Sequence, residues 1–199
     1  ALAMLGGCGR SNAPAIDGVL RAISRFNDQV QAWIFDPNRL APTYPESMVL
    51  KPPRFNAFYP PEDIRPVDGQ TWRLELAGRI ANRHICVEGW DYIGQWSGVP
   101  LRLFLERVGA DLSCRYVAFR CADGYWGSID MASALHPQTL LATKYARETI
   151  ADPYGYPLRL RTAVKLGFKN PKWITSIEVT NDYPGGYWED RGFNWFSGI

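Results

Sequence analysis

The sequence lacks the side chains and motifs that most enzyme classes require. Two histidines, His84 and His136, are all that 199 residues hold. That excludes a zinc hydrolase built on several imidazoles and leaves a catalytic triad little choice of base. No Gly-x-Gly-x-x-Gly, P-loop or Gly-x-Ser-x-Gly occurs, so nicotinamide, nucleotide and serine-hydrolase readings lose their usual scaffolds. Neither a haem-binding Cys-x-x-Cys-His nor an iron-sulfur spacing is present, and electrons that reach this chain need another carrier. No run of about 18 apolar residues argues for a membrane span. The 22 Lys and Arg against 20 Asp and Glu lie without a long basic block, which removes nucleic acid as a partner.

What the chain does contain is apolar and aromatic: 46% hydrophobic residues, 14% aromatic, eight tryptophans, together with 18 glycines and 15 prolines. Such a composition buries one sizeable core and suits a loop-rich α+β fold pinned by large rings. Four cysteines (Cys8, Cys86, Cys114, Cys121) are too few for a disulfide-built scaffold. Cys114 and Cys121 flank a strand-like stretch whose ends lie about 20 Å apart, so they are expected unpaired. The Leu5-Gly6-Gly7-Cys8 tetrad resembles a bacterial lipobox. It implies a lipid anchor at Cys8 and a place at the extracytoplasmic, periplasmic side of a membrane.

Apolar residues Ile16, Val19, Leu20, Ile23, Phe26, Val30, Trp33 and Ile34 recur at spacings of three and four behind Ser11 or Asn12 as N-cap. They predict an amphipathic helix whose stripe is expected to pack on the main domain rather than lie on a membrane or against a partner helix, although a tether at Cys8 would bring it close to a lipid surface. Residues 1–35 thus read as an export or anchor remnant plus helix, and 36–199 as a single domain. Eight prolines between 36 and 66 (Pro37, Pro42, Pro45, Pro52, Pro53, Pro60, Pro61, Pro66) exclude helix interiors and central strands, so this segment wraps the body and lines a site. Beyond it, alternation at Trp72, Leu74 and Leu76 with a turn at Gly78, and runs at 83–87, 115–121, 157–164 and 173–180, predict a mixed or antiparallel sheet. Short helices are expected after Pro100 and from Asp130 through Leu135.

The stretch Arg83-His84-Ile85-Cys86-Val87-Glu88-Gly89-Trp90 delivers a thiol at a strand end. Gly89 permits a sharp turn, and Arg83 and His84 lie close enough to favour ionisation and binding of a soft metal. The plainer alternative is a buried, inert cysteine beside a packing tryptophan. Four blocks shift the balance. Cys86-Val87-Glu88-Gly89-Trp90 resembles the molybdenum-ligating segment of the sulfite oxidase superfamily, and Phe55-Asn56-Ala57-Phe58-Tyr59 resembles a pterin-contact loop of its periplasmic sulfoxide reductases. Gly155-Tyr156-Pro157-Leu158-Arg159, with the Lys165-to-Trp173 run, is similar to the family's phosphate-holding blocks, and Gly186-Tyr187-Trp188-Glu189 to its closing signature. The resemblance implies a mixed-sheet molybdopterin-binding fold over roughly residues 55–199. It also implies Cys86 as the thiolate on molybdenum, with Asn56, Phe58, Tyr59 and Cys121 at the pterin. Arg159, Lys169, Asn170, Pro171 and Lys172 would serve the phosphate. Tyr154 departs from the pattern, which has an amide there.

No arginine follows Cys86 from Val87 through Leu101, and Trp90, Asp91, Tyr92 and Trp96 fill that stretch. Enzymes that bind a small dianion need cations there to lower the cost of burying charge, and Asp91 would repel such an anion, so a neutral sulfoxide is expected over sulfite. Arg120 and Arg161 are left as cations that could reach the site from elsewhere in the fold. The resemblance then implies two-electron oxygen-atom transfer on a small molecule, with a separate redox partner such as a membrane cytochrome. The alternative is a noncatalytic molybdopterin-fold subunit of a membrane-associated assembly.

Overall fold

The computed structural model describes residues 14–64 and 79–199. The lipobox-like tetrad, the helix N-cap and the 71–78 alternation lie outside the described residues. The expected helix is α1, Pro14–Ile34. Its side opposite to expectation meets the body. The Asp28 carboxylate accepts from the Phe196 backbone N–H at 2.6 Å, Gln31 Oε1 accepts from Gly198 N–H at 3.1 Å, and Asn194 Nδ2 donates to the Ser24 carbonyl at 3.5 Å. Val19, Leu20, Ile23, Phe26, Trp33 and Ile34 are exposed, so among the described residues the stripe is not a packing face. Periodicity tells which residues share a side; it does not tell which side finds a partner.

The proline segment wraps as expected. Among its described residues there is no strand or helix beyond two single-turn 3-10 pieces. Its backbone is tied instead to the sheets: Leu50 N–H donates to the Ile93 carbonyl at 2.9 Å, and Ala41 exchanges bonds with the Gln138 side chain at 2.6 and 3.0 Å.

Two antiparallel sheets form the body. The larger comprises β1 (Arg79–Ile85), β2 (Asp91–Pro100), β5 (Thr139–Tyr145), β6 (Glu148–Thr149) and β7 (Arg159–Thr162), with β5 paired to β2, β6 and β7. In the smaller, β3 (Tyr116–Cys121) lies between β4 (Trp126–Asp130) and β8 (Ile174–Thr180). Helices α2 (Leu101–Arg107) and α3 (Met131–Ala134) fall where the sequence placed them, the latter capped by Asp130, which accepts from Ser133 N–H at 2.8 Å. One core joins Leu101, Leu105, Val117, Phe119, Ile129, Leu141 and Leu160 between α2 and both sheets. A second stacks Tyr92, Trp96, Leu140 and Tyr145 under the proline segment. Strands β2 and β5 escaped the sequence reading. Both are buried on both faces over part of their length, and such strands do not alternate.

Candidate functional site

Cys86 follows β1 on a tight turn. Its N–H donates to the Trp90 carbonyl at 2.9 Å, and the Gly89 N–H donates to the Cys86 carbonyl at 3.2 Å. Gly89 sits at φ +87, a left-handed conformation that other residues adopt at a cost. The turn presents the thiol to a cleft of about 550 Å³, which Asn56, Phe58, Asn170, Pro171 and Lys172 also line. Asn56 Nδ2 lies 3.5 Å from the sulfur, and the thiol lies 3.8 Å from Glu88 Oε2, which accepts a second bond from Trp90 Nε1 at 2.8 Å.

The expected ionising influence is not at work here. Burial pushes the Cys86 thiol up. Arg83 is exposed and ion-paired with Asp91, which also neutralises the carboxylate expected to repel anions. His84 is buried and held neutral, first by burial and then by the charges of Arg161, Arg159 and Lys172. A soft cation bound at the sulfur must therefore displace the thiol proton.

Of the remaining sequence candidates, Tyr59, Cys121, Arg159 and Lys169 are not among the residues that line the cleft. The Tyr59 hydroxyl donates to Asp123 Oδ2 at 3.2 Å, and its ring stacks on Trp173 at 6.0 Å. Cys121 is buried at the end of β3, its thiol pushed up by burial and then by Asp123. Arg159 is buried against the Trp96 ring at 4.6 Å and donates to the Tyr154 carbonyl at 2.9 Å. Lys169 is paired with Glu189, both buried, and Lys165 with Asp130 at 2.8 Å. Of the three lysines in that block, Lys172 alone has no carboxylate partner among the described residues. Its ammonium donates to the Pro153 carbonyl at 3.2 Å and faces the Trp173 ring at 4.3 Å.

Sequence reasoning missed Asp123 in the cleft wall. The Asp123-Gly124 dipeptide was the available signal, since it marks the β3–β4 hairpin turn, where Asp123 Oδ1 accepts from Tyr125 N–H at 3.0 Å. Burial raises its carboxyl above the ordinary range. Glu88 and Trp188 also line the cleft.

Burial lowers the basicity of Arg159, Arg161 and Lys172, Arg159 lowers the other two further, and Lys172 falls to about 6, chiefly through burial and then through Arg159. Buried Arg159 and Lys172, neither of them ion-paired among the described residues, call for an anion. His84 Nδ1 has no hydrogen-bond partner among the described residues, and a Cβ at Gly167 would stand 2.8 Å from His84 Nε2, so backbone approaches closely there. Among the described residues no three His, Cys, Asp or Glu side chains gather to hold a metal. A metal at Cys86 must bring its own further ligands. One thiol, a cationic interior and a glycine cradle fit a phosphate-bearing organic ligand that carries its metal: molybdopterin.

The Lys172 shift has a measurable consequence. Its ordinary value is 10.5. Below about 6 the ammonium is charged in folded and unfolded chains alike, and the burial penalty is felt in full. From there to about 10.5 only the unfolded chain keeps the proton, so stability rises with pH. The cofactor-free protein is expected to melt at higher temperature as pH climbs from 6 to 9. Lys172→Met is expected to raise the pH 6 midpoint and flatten that slope; an unchanged slope in calorimetry rejects the assignment.

Fold and site together define a molybdopterin-binding oxidoreductase domain. Residues 86–188 match the oxidoreductase molybdopterin binding domain family, and the chain belongs to it. It is 50% identical over 216 residues to the putative protein-methionine-sulfoxide reductase subunit YedZ1 of Azospira oryzae, covering 99% of this chain and 82% of that one. It is 35% identical over 120 residues to the protein-methionine-sulfoxide reductase catalytic subunit MsrP of Xanthomonas axonopodis pv. citri, covering 53% of this chain and 37% of that one. The crystal structure of the sulfane dehydrogenase SoxCD from Paracoccus pantotrophus shares the fold, with TM-score 0.50 over 57% of this chain and 34% of that chain at 17% identity.

Proposed function

We propose that the chain reduces a sulfoxide at a molybdenum centre held by Cys86, outside the cytoplasm, with electrons from a separate membrane redox partner. The observation that carries this reading is the seating of the Cys86 sulfur in one cleft with Asn56, Phe58, Asn170, Pro171 and Lys172. These residues come from three distant stretches of the chain.

The bound cofactor supplies a metal that changes by two electrons and exchanges an oxygen atom. Sulfoxide, two electrons and two protons give thioether and water. The protein's share is placement. Asn56 orients the sulfur of Cys86, while Phe58 and Tyr59 brace the pterin from the proline segment. Arg159 and Lys172, backed by Arg161 and the backbone around Asn170 and Pro171, hold the phosphate. Cys121, buried at the end of β3, would stand close to the pterin without holding it. Lys169 contributes through its ion pair with Glu189, which fixes the loop rather than the ligand. The mouth carries Phe58, Val87, Glu88 and Trp188, an aromatic and acidic lining that suits an uncharged S–O group over a dianion. Residues 36–199 act as one catalytic domain, with 1–35 as anchor segment and helix.

Protein purified from a host that makes molybdopterin is expected to contain about one molybdenum and one fluorescent pterin per chain, and to reduce sulfoxides with a reduced viologen dye. A folded protein free of both, or activity that persists without either, overturns the proposal.

A further inference from the structure

The apolar side of α1 is a feature that the cleft does not explain. Six residues of its stripe are well exposed, with Phe26 at 64% and Trp33 at 85%. The helix is nevertheless fixed to the body through Ser24, Asp28 and Gln31. At 3.6 residues per turn those three lie within a narrow arc, and the middle of the apolar arc lies roughly 130° from it. The fold therefore holds the helix by its polar side and turns the apolar side outward. No charged residue lies in that arc, and Asn27 is its one polar interruption.

We infer that this face lies along a lipid bilayer surface, with the helix axis in the membrane plane. The length and composition of the stripe fit that occupant. The helix's 21 residues span roughly 31 Å, and valine, leucine, isoleucine, phenylalanine and tryptophan side chains face one way. No helix among the described residues is long and apolar enough to cross a membrane, so the helix lies on the surface. The chain preceding it supplies a second argument. Residues 1–9 carry no charged side chain, and Cys8 stands six positions before Pro14. That much chain reaches at most about 20 Å when fully extended. An acyl group on Cys8 would thus hold α1 against the lipid, and one chain alone gives only marginal membrane binding. The exposed face provides the second attachment. A second copy of the protein is a poorer occupant. The apolar groove between α2 and β8, lined by Phe104, Val108, Ile177 and Val179, is bounded by a seven-residue helix. That is roughly 10 Å long, a third of the stripe.

The test is vesicle flotation with the full chain carrying Cys8→Ser, so that no acyl group contributes. Vesicles contain phosphatidylcholine and phosphatidylglycerol. This protein is expected to float with them. Adding Val19→Ser, Phe26→Ser and Trp33→Ser is expected to lower its partition coefficient by about tenfold or more. These side chains are exposed, so the circular dichroism melt and the dye-driven reductase rate stay unchanged. That control separates failure of this inference from failure of the cleft assignment. The inference is overturned if the Cys8→Ser protein stays in the aqueous layer. It is overturned equally if the triple variant still floats, or if binding appears only when vesicles contain a membrane protein. Lipid-free dimers dissolved by the triple substitution would make the occupant a second copy and overturn it as well.

Discussion

Cys86→Ser is expected to lower dye-driven sulfoxide reduction by more than about a hundredfold while moving the melting temperature little. The size follows from comparison: removing an outer partner of a metal ligand costs roughly 10–100-fold, and loss of the ligand itself costs more. Folding survives because thiol and hydroxyl are close in size, and because Asn56 and Glu88 remain within reach of the new hydroxyl. Cys121→Ser is the control. It alters a buried thiol on β3 that makes none of these contacts, and its activity is expected to stay within about tenfold of the parent. Molybdenum content and turnover measured on the same preparations separate loss of metal from loss of chemistry. Full activity in Cys86→Ser would remove the ligand assignment.

Lys169→Met is expected to destabilise the fold by about 3–5 kcal/mol, because it strands the buried Glu189 carboxylate without its cation. The double substitution Lys169→Met/Glu189→Leu is expected to recover most of that loss, since two charges then leave the interior together. Denaturant unfolding of the two variants, with Glu189→Leu to complete the cycle, measures the coupling. Additivity of the single changes would show that the pair is not coupled, and would return Lys169 to the phosphate, as the sequence resemblance implies. The two predictions are independent. The first asks what the cleft holds, the second what holds the cleft's rear wall, where Gly186–Trp188 and the 165–172 loop meet.

Much of the site was legible because its parts are local. A cysteine after a strand and before a left-handed glycine is a short-range arrangement, and so is a proline segment that can neither pair nor coil. Both appear where the residues placed them. The two-faced burial of β2 and β5 was not legible, because a strand covered on both sides has no period to read. Nor was the fate of the three lysines. Lys165, Lys169 and Lys172 look alike in sequence, yet Asp130 and Glu189 reach the first two from other elements and leave Lys172 to face the cleft. The ion pair between Arg83 and Asp91 likewise changed the meaning of two charges. Their partnership arises from the antiparallel register of β1 against β2.

By itself the sequence determined that an amphipathic helix lies ahead of residue 36, that the proline-rich segment from 36 to 66 cannot form a helix interior or a central strand, and that Cys86 sits on a turn. Each of these depends on bonds and sterics within a few residues. Tertiary structure alone decided which side of that helix is held, which of the three lysines has no carboxylate partner among the described residues, and that Asn56 meets Cys86. Those outcomes depend on groups up to about 170 positions apart, such as Asn194 and Ser24, and no local pattern encodes the partner at the far end.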